Sequence, residues 1–273
     1  NLMIKQAIIP LAGLGTRLLP LTSVIPKELL PINGKPNLEY ILEECLEAGV
    51  KQFIFIISKE KISIKKYFFN DSFYKKIIKK KKDKRIIKEF RKIKKYQKMI
   101  KFVYQNKPKG TGDAILKCEK LIKNNYFLML LPDDLIVKKN CSKEMINLHN
   151  KTKSSIIATK KVDKNTVSRW GILSFKNKKK NYFQIKDVVE KPSTKKAPSN
   201  YAIIGRYILP TTIFNEIKKI KPGQGNEIHI TDAIRNLIFK GNYFFGNIFQ
   251  GKYLDCGTID GYIKSSIQIF KGK

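Results

Sequence analysis

The chain has 273 residues, 42% of them hydrophobic and 29% charged, and carries a formal net charge of +34. That apolar content excludes a disordered chain and suffices for one large α/β unit with a sizeable core. No run reaches the ~18 apolar residues of a membrane helix, and no leader with a basic start, apolar middle and small-residue cleavage site is expected.

Lys outnumbers Arg by 50 to six. Nucleic-acid readers use Arg for bidentate contacts to bases and phosphates. The Lys excess therefore reads as compositional bias, with some attraction for anionic substrates; a nucleic-acid or membrane partner is not expected. Cys45, Cys118, Cys141 and Cys256 form no CxxC pair, which suits a reducing cytoplasm.

In chain order, residues 5–11 read as an apolar strand that runs into a Gly-rich turn. Residues 36–48 have helical spacing and stop at Gly49, and 52–58 is a buried strand. Residues 75–101 hold fifteen Lys/Arg against two acids. Ile77, Ile78, Ile86, Ile87, Phe90 and Ile93 make a helix-compatible stripe there, predicting a Lys-rich helical surface insertion over about 60–100. A strand at 101–105 and a helix at 113–122 follow, then the apolar strand 126–131, which leads to Asp133. The second half predicts strands at 154–159, 171–175, 183–189 and 201–209, and helices at 211–217, 231–239 and 259–270. Strands alternating with helices imply a mainly parallel sheet covered on both faces, with ligands at the carboxyl ends of its strands.

Leu11-Ala12-Gly13-Leu14-Gly15-Thr16-Arg17 follows the first strand. Glycines let backbone N–H groups approach an anion, and the following cation neutralises it. It is neither a dinucleotide fingerprint, because Leu18 replaces the third Gly, nor a Walker loop. The whole run from Gly13 to Pro36, GLGTRLLPLTSVIPKELLPINGKP, resembles the signature of sugar-1-phosphate nucleotidyltransferases. Gln105 with Gly110-Thr-Gly112, Leu131-Pro-Asp133, Val189-Glu-Lys-Pro192, the segment Ser199–Arg206, Asn226–Asp232 and Asp255-Cys-Gly257 extend the likeness. Together they narrow it to the bacterial UTP–glucose-1-phosphate uridylyltransferases. Thymidylyltransferase relatives usually carry Gln where Glu28 stands.

The resemblance implies a Rossmann-like α/β nucleotidyltransferase fold: a mixed, mainly parallel sheet flanked by helices, with a smaller β-containing sugar-side portion, in a single domain over 1–273. It implies transfer of the uridylyl group of UTP to glucose 1-phosphate, giving UDP-glucose and pyrophosphate, by a homo-oligomer (dimer or tetramer). Arg17 and Lys27 are the cations expected at the triphosphate, and Lys191 at the sugar phosphate. Ala12, Gly13, Gly15, Thr16, Glu28, Gln105 and Gly110 match nucleotide-side positions, and Gly112 joins Gly110 in a turn that closes over the base. Gln105 offers both a donor and an acceptor to the uracil edge. Gly171, Glu190, Lys191 and Glu227 match the sugar side, while Trp170 fits core packing equally well. Asp133 and Asp255 are the expected ligands of Mg²⁺. Asp232 reads equally as a sugar-site residue or a helix stabiliser, and Asp134 as a helix cap. His149 and His229 are expected at the surface or in local hydrogen bonds. A dTTP or galactose 1-phosphate preference is not separated by these motifs. A non-catalytic paralogue would depart from Gly-Thr-Arg, which is intact here.

Overall fold

Strands Gln6–Pro10, Gln52–Ile57 and Tyr126–Leu130 are nearly continuous apolar runs because both of their faces are covered. The computed structural model describes residues 4–272. Side chains alternate between two cores. Ala7, Ile9, Phe53, Phe55, Ile57, Leu128 and Leu130 pack on one face, and Ile8, Ile54, Ile56, Phe127 and Met129 on the other.

These strands belong to a sheet with nine members among the described residues. From one edge, Ile100–Tyr104, Gln52–Ile57, Gln6–Pro10 and Tyr126–Leu130 run parallel. Tyr201–Pro210 is antiparallel to Tyr126–Leu130, with Arg206 opposite Leu130. Beyond it lie Ser155–Lys161, Phe244–Ile248, Tyr182–Glu190 and Gly171–Lys176. The sheet is therefore mixed, with its parallel half built from the first half of the chain. A ribbon of Asp134–Val137 and Lys252–Asp255 sits beside it.

Nearly all predicted elements lie within two residues of their expected bounds. The helix expected over 113–122 is Gly110–Leu116, followed by a short 3₁₀ turn at Glu119–Leu121. It starts early because the Gly112 N–H donates to the Ile228 carbonyl at 2.8 Å, which recruits the glycines into the first turn. Helix Cys141–Thr152 and strand Phe244–Ile248 are additional. The Lys-rich segment folds as helices Ile62–Phe69, Asp71–Lys81 and Lys84–Gln97. Its apolar stripe is shallow. Ile93 and Tyr96 are buried, whereas helix Asp71–Lys81 buries nothing. Phe68 anchors the segment edge-on against Tyr96, with ring centroids 6.0 Å apart.

All four cysteines are buried free thiols. Among the described residues, no helix is long and apolar enough to cross a membrane.

Candidate active site

The carboxyl ends of the parallel strands Gln6–Pro10, Ile100–Tyr104 and Tyr126–Leu130 deliver the Gly-rich turn, Gln105 and Asp133 to one edge of the sheet. Two adjoining cavities open there, and Leu131, Asp133 and Glu227 line both.

The first cavity, about 270 Å³, is lined by Ala12, Gly13, Lys27, Glu28, Gln105 and Gly110 among others. Gly110 has φ +91°, and a β-carbon there would lie 2.6 Å from the Ile228 carbonyl oxygen. Only glycine fits that close approach. Gly112 turns its N–H to Ile228 and packs against that residue. That contact braces the turn that carries Gly110. Glu28 is fully buried, and both its oxygens accept from Lys61 Nζ at 2.7 and 2.8 Å. Burial pushes the Glu28 carboxyl up and the Lys61 ammonium down, and their pairing works against both shifts. Lys61, at the start of the Lys-rich segment, carries no motif. It is one of 50 lysines, and only the fold brings it to Glu28.

The second cavity, about 750 Å³, is lined by Thr16, Arg17, Gly171, Glu190, Lys191 and Asp255, with Trp170, Arg169, Tyr207, Thr231, Tyr253 and Thr258 beside them. Glu190 pairs with Gly171 across two antiparallel strands. Lys191 has φ +45°, a strained conformation for a non-glycine residue, fixed by its N–H donating to the Trp170 carbonyl at 3.0 Å. Trp170 meets Tyr253 edge-on. Gly15 lines neither cavity. Its left-handed conformation (φ 71°) makes the turn, and its carbonyl accepts from Leu18 N and Thr22 Oγ1.

Asp133 sits where the cavities meet. Lys27 Nζ donates to its Oδ2 at 2.5 Å, and Arg17 Nη2 lies 3.5 Å from the same atom. Burial pushes the Asp133 carboxyl up. Lys27, with Arg17 and Lys61, more than offsets this and holds it below the usual carboxylate range. The Cys256 N–H donates to the Asp133 carbonyl at 2.8 Å, which draws Asp255 in. A β-carbon on Gly257 would meet Arg17 Nη2 at 3.0 Å, Asp133 Oδ2 at 3.1 Å and Asp255 Oδ1 at 3.2 Å. Both carboxylates thus face one small space that glycine leaves open.

A family model described as nucleotidyl transferase matches residues 6–272. The chain belongs to the nucleotidyl transferase family. The UTP–glucose-1-phosphate uridylyltransferase 1 of Staphylococcus saprophyticus is 36% identical, with 97% of this chain and 92% of that one covered. A crystal structure of UDP-glucose pyrophosphorylase complexed with UDP-glucose superimposes with TM-score 0.88 at 38% identity, covering 99% of this chain and 100% of the other. A UTP-bound UGPase from Acinetobacter baumannii gives TM-score 0.88 at 31% identity, covering 98% and 93%.

As a nucleotidyl transferase, the chain works on phosphate groups, and its paired carboxylates fit that chemistry. Among the described residues no three His, Cys, Asp or Glu are grouped so as to hold a metal ion; Asp133 and Asp255 are two carboxylates that face each other across Gly257. Mg²⁺ takes one or two carboxylates and completes its shell with phosphate oxygens and water, so the pair fits this ion.

The structure overturns the helix-cap reading of Asp134. That residue opens strand Asp134–Val137, and its carboxylate accepts from Gly205 N at 3.0 Å and Tyr253 Oη at 2.7 Å. Burial and the neighbouring Asp133 push its carboxyl up. His149 makes the local hydrogen bond expected of it, its Nδ1–H donating to the Ser154 carbonyl at 2.7 Å from a buried position. Burial lowers its pKa. Asp232 lies in the first turn of helix Ile230–Phe239, where an acid suits the helix dipole, and His229 precedes that helix. Arg169, without a motif of its own, reaches to 3.9 Å from Asp255.

Proposed function

We propose that this nucleotidyl transferase is a UTP–glucose-1-phosphate uridylyltransferase. The observation that carries the reading is the pair of cavities meeting at Asp133, in a chain that superimposes along its length on a UDP-glucose pyrophosphorylase holding UDP-glucose.

The first cavity takes the uridine, with Gln105 and the Gly110 backbone at the base and Ala12, Gly13 and Glu28 around it. The second takes glucose 1-phosphate, with Glu190, Glu227 and the Gly171 backbone at the sugar hydroxyls and Lys191 at the phosphate. A phosphate oxygen of glucose 1-phosphate attacks the α-phosphorus of UTP in line. The bond to the bridging oxygen breaks, and that oxygen leaves with pyrophosphate. Holding two polyanions in contact is the main task, so positioning and charge neutralisation supply the rate. Lys27 and Arg17, which lie against Asp133 in the structure, turn to the triphosphate. Gly15 and Thr16 shape the turn beneath it. Asp133 and Asp255 would hold Mg²⁺, which neutralises phosphate charge when bound. A homo-oligomer belongs to the same reading. The exposed apolar row Ile259, Ile263, Ile267 and Phe270 on helix Ile259–Lys271 supports it.

Lys191→Ala tests the sugar-side assignment. Losing one charge-assisted contact to phosphate should raise the KM for glucose 1-phosphate by about tenfold or more, with the KM for UTP changed by less than about twofold. Steady-state kinetics in each substrate read this directly. Equal increases in both would remove Lys191 from the sugar phosphate.

A further inference from the structure

Gln105 is buried at the end of strand Ile100–Tyr104, with its side chain on the first cavity. Its Nε2 donates to Asp113 Oδ2 at 2.7 Å and to the Gly110 carbonyl at 3.1 Å. Both partners are acceptors, so the end of the amide that faces them must be its NH₂. No hydrogen bond among the described residues takes Oε1, and the carbonyl end is left for the cavity.

Asp113 is well fixed. It stands in the first turn of helix Gly110–Leu116, 15% exposed, with Lys117 Nζ 3.5 Å from its other oxygen one turn later. That first turn is pinned to the opposite loop through Gly112 N to the Ile228 carbonyl, and the Ile228 N–H in turn donates to the Lys109 carbonyl at 2.9 Å. An ionised carboxylate only accepts hydrogen bonds, so reversing the Gln105 amide would set oxygen against oxygen twice.

We propose that Asp113 is a positioning residue that fixes the Gln105 amide with its carbonyl toward the base. The inference rests on the UTP reading above and deepens it. A carbonyl there accepts from the ring N–H that uracil carries between its two carbonyls. It opposes cytosine, whose ring nitrogen at that place is itself an acceptor. Thymine shares the uracil edge, so Asp113 separates bases by this edge and leaves the ribose untouched.

The experiment measures kcat/KM for UTP and CTP with glucose 1-phosphate in the full chain and in Asp113→Asn, Asp113→Ala and Asp113→Glu. An Asn amide can donate or accept, so it permits both orientations of Gln105. Asp113→Asn should lower the UTP-to-CTP ratio by about tenfold, through a higher KM for UTP and a lower one for CTP. Its kcat with UTP should stay within about threefold. Asp113→Ala should shift the ratio the same way and less, because the Gly110 carbonyl still accepts. Asp113→Glu, again acceptor-only, should restore most of the preference. A ratio within about twofold of the parent in both Asn and Ala variants, each melting as the parent does, overturns the role of Asp113. No turnover of UTP by the parent would instead strike the UTP reading itself.

Discussion

Asp133→Asn is expected to lower turnover of UTP and glucose 1-phosphate roughly 10²–10³-fold while the protein stays folded. Asp133 lines both cavities, as Glu227 does, and it alone of the two is paired with Lys27 and Arg17. Its Oδ2 collects Lys27 and Arg17, and the Gly257 backbone holds the space between it and Asp255 open. Asn keeps the shape and an acceptor oxygen but removes the charge. It would weaken the hold on Mg²⁺, which would neutralise phosphate charge when bound, and it frees Lys27 from its partner. The fold should survive, because the Cys256 N–H bonds the backbone of residue 133 and not its side chain. Pyrophosphate release under saturating substrates, with thermal unfolding alongside, separates the two effects. A near-normal kcat would remove Asp133 from the metal and phosphate chemistry.

Glu44→Ala should cost about 3–5 kcal/mol of stability, the largest loss expected from any single truncation outside the apolar core. Arg206 is wholly buried in strand Tyr201–Pro210. Its Nε and Nη2 donate to the Glu44 carboxylate at 3.0 to 3.2 Å, and its Nη1 to the Leu131 and Gly205 carbonyls at 3.1 and 3.0 Å. Glu44 also accepts from Ser142 Oγ at 2.6 Å, so it ties helices Asn37–Glu47 and Cys141–Thr152 to the sheet. Truncating it strands a buried guanidinium without its paired carboxylate. Leu131 stands two residues before Asp133, so the same pair holds the active-site loop in place. Urea unfolding, with the slope checked against the parent, measures the loss. A change under about 1 kcal/mol would show that water or another group replaces Glu44.

The parallel half of the sheet was readable because its strands are covered on both faces and spell unbroken apolar runs, as at Phe53–Ile57. Helix Cys141–Thr152 did leave a signal. Asn140 caps it by accepting from Lys143 N at 2.9 Å, and Cys141, Met145, Leu148 and His149 have helical spacing. Its many polar residues mask the pattern. Strand Phe244–Ile248 is short and holds Gly246, where a β-carbon would lie 2.5 Å from the Phe183 ring. A glycine required by packing looks, in sequence, like a strand breaker.

The site divides in the same way. The motif residues between Ala12 and Glu28, with Gln105 and Gly110, could be picked out because they cluster along the chain. The partners that orient them could not. Lys61 meets Glu28 across 33 positions, and Tyr253 meets Asp134 across 119. Such pairs have no periodicity. Asp134 was misread because a carboxylate after a strand looks locally like a cap, whereas its partners come from a distant ribbon.

Pyrophosphate release from purified protein with Mg²⁺, glucose 1-phosphate and UTP, with dTTP in parallel and the sugar nucleotide product identified, tests whether this nucleotidyl transferase makes UDP-glucose. Rapid release with UTP is expected, dependent on glucose 1-phosphate and accompanied by an equal amount of UDP-glucose. No release with UTP from folded protein would contradict that reading.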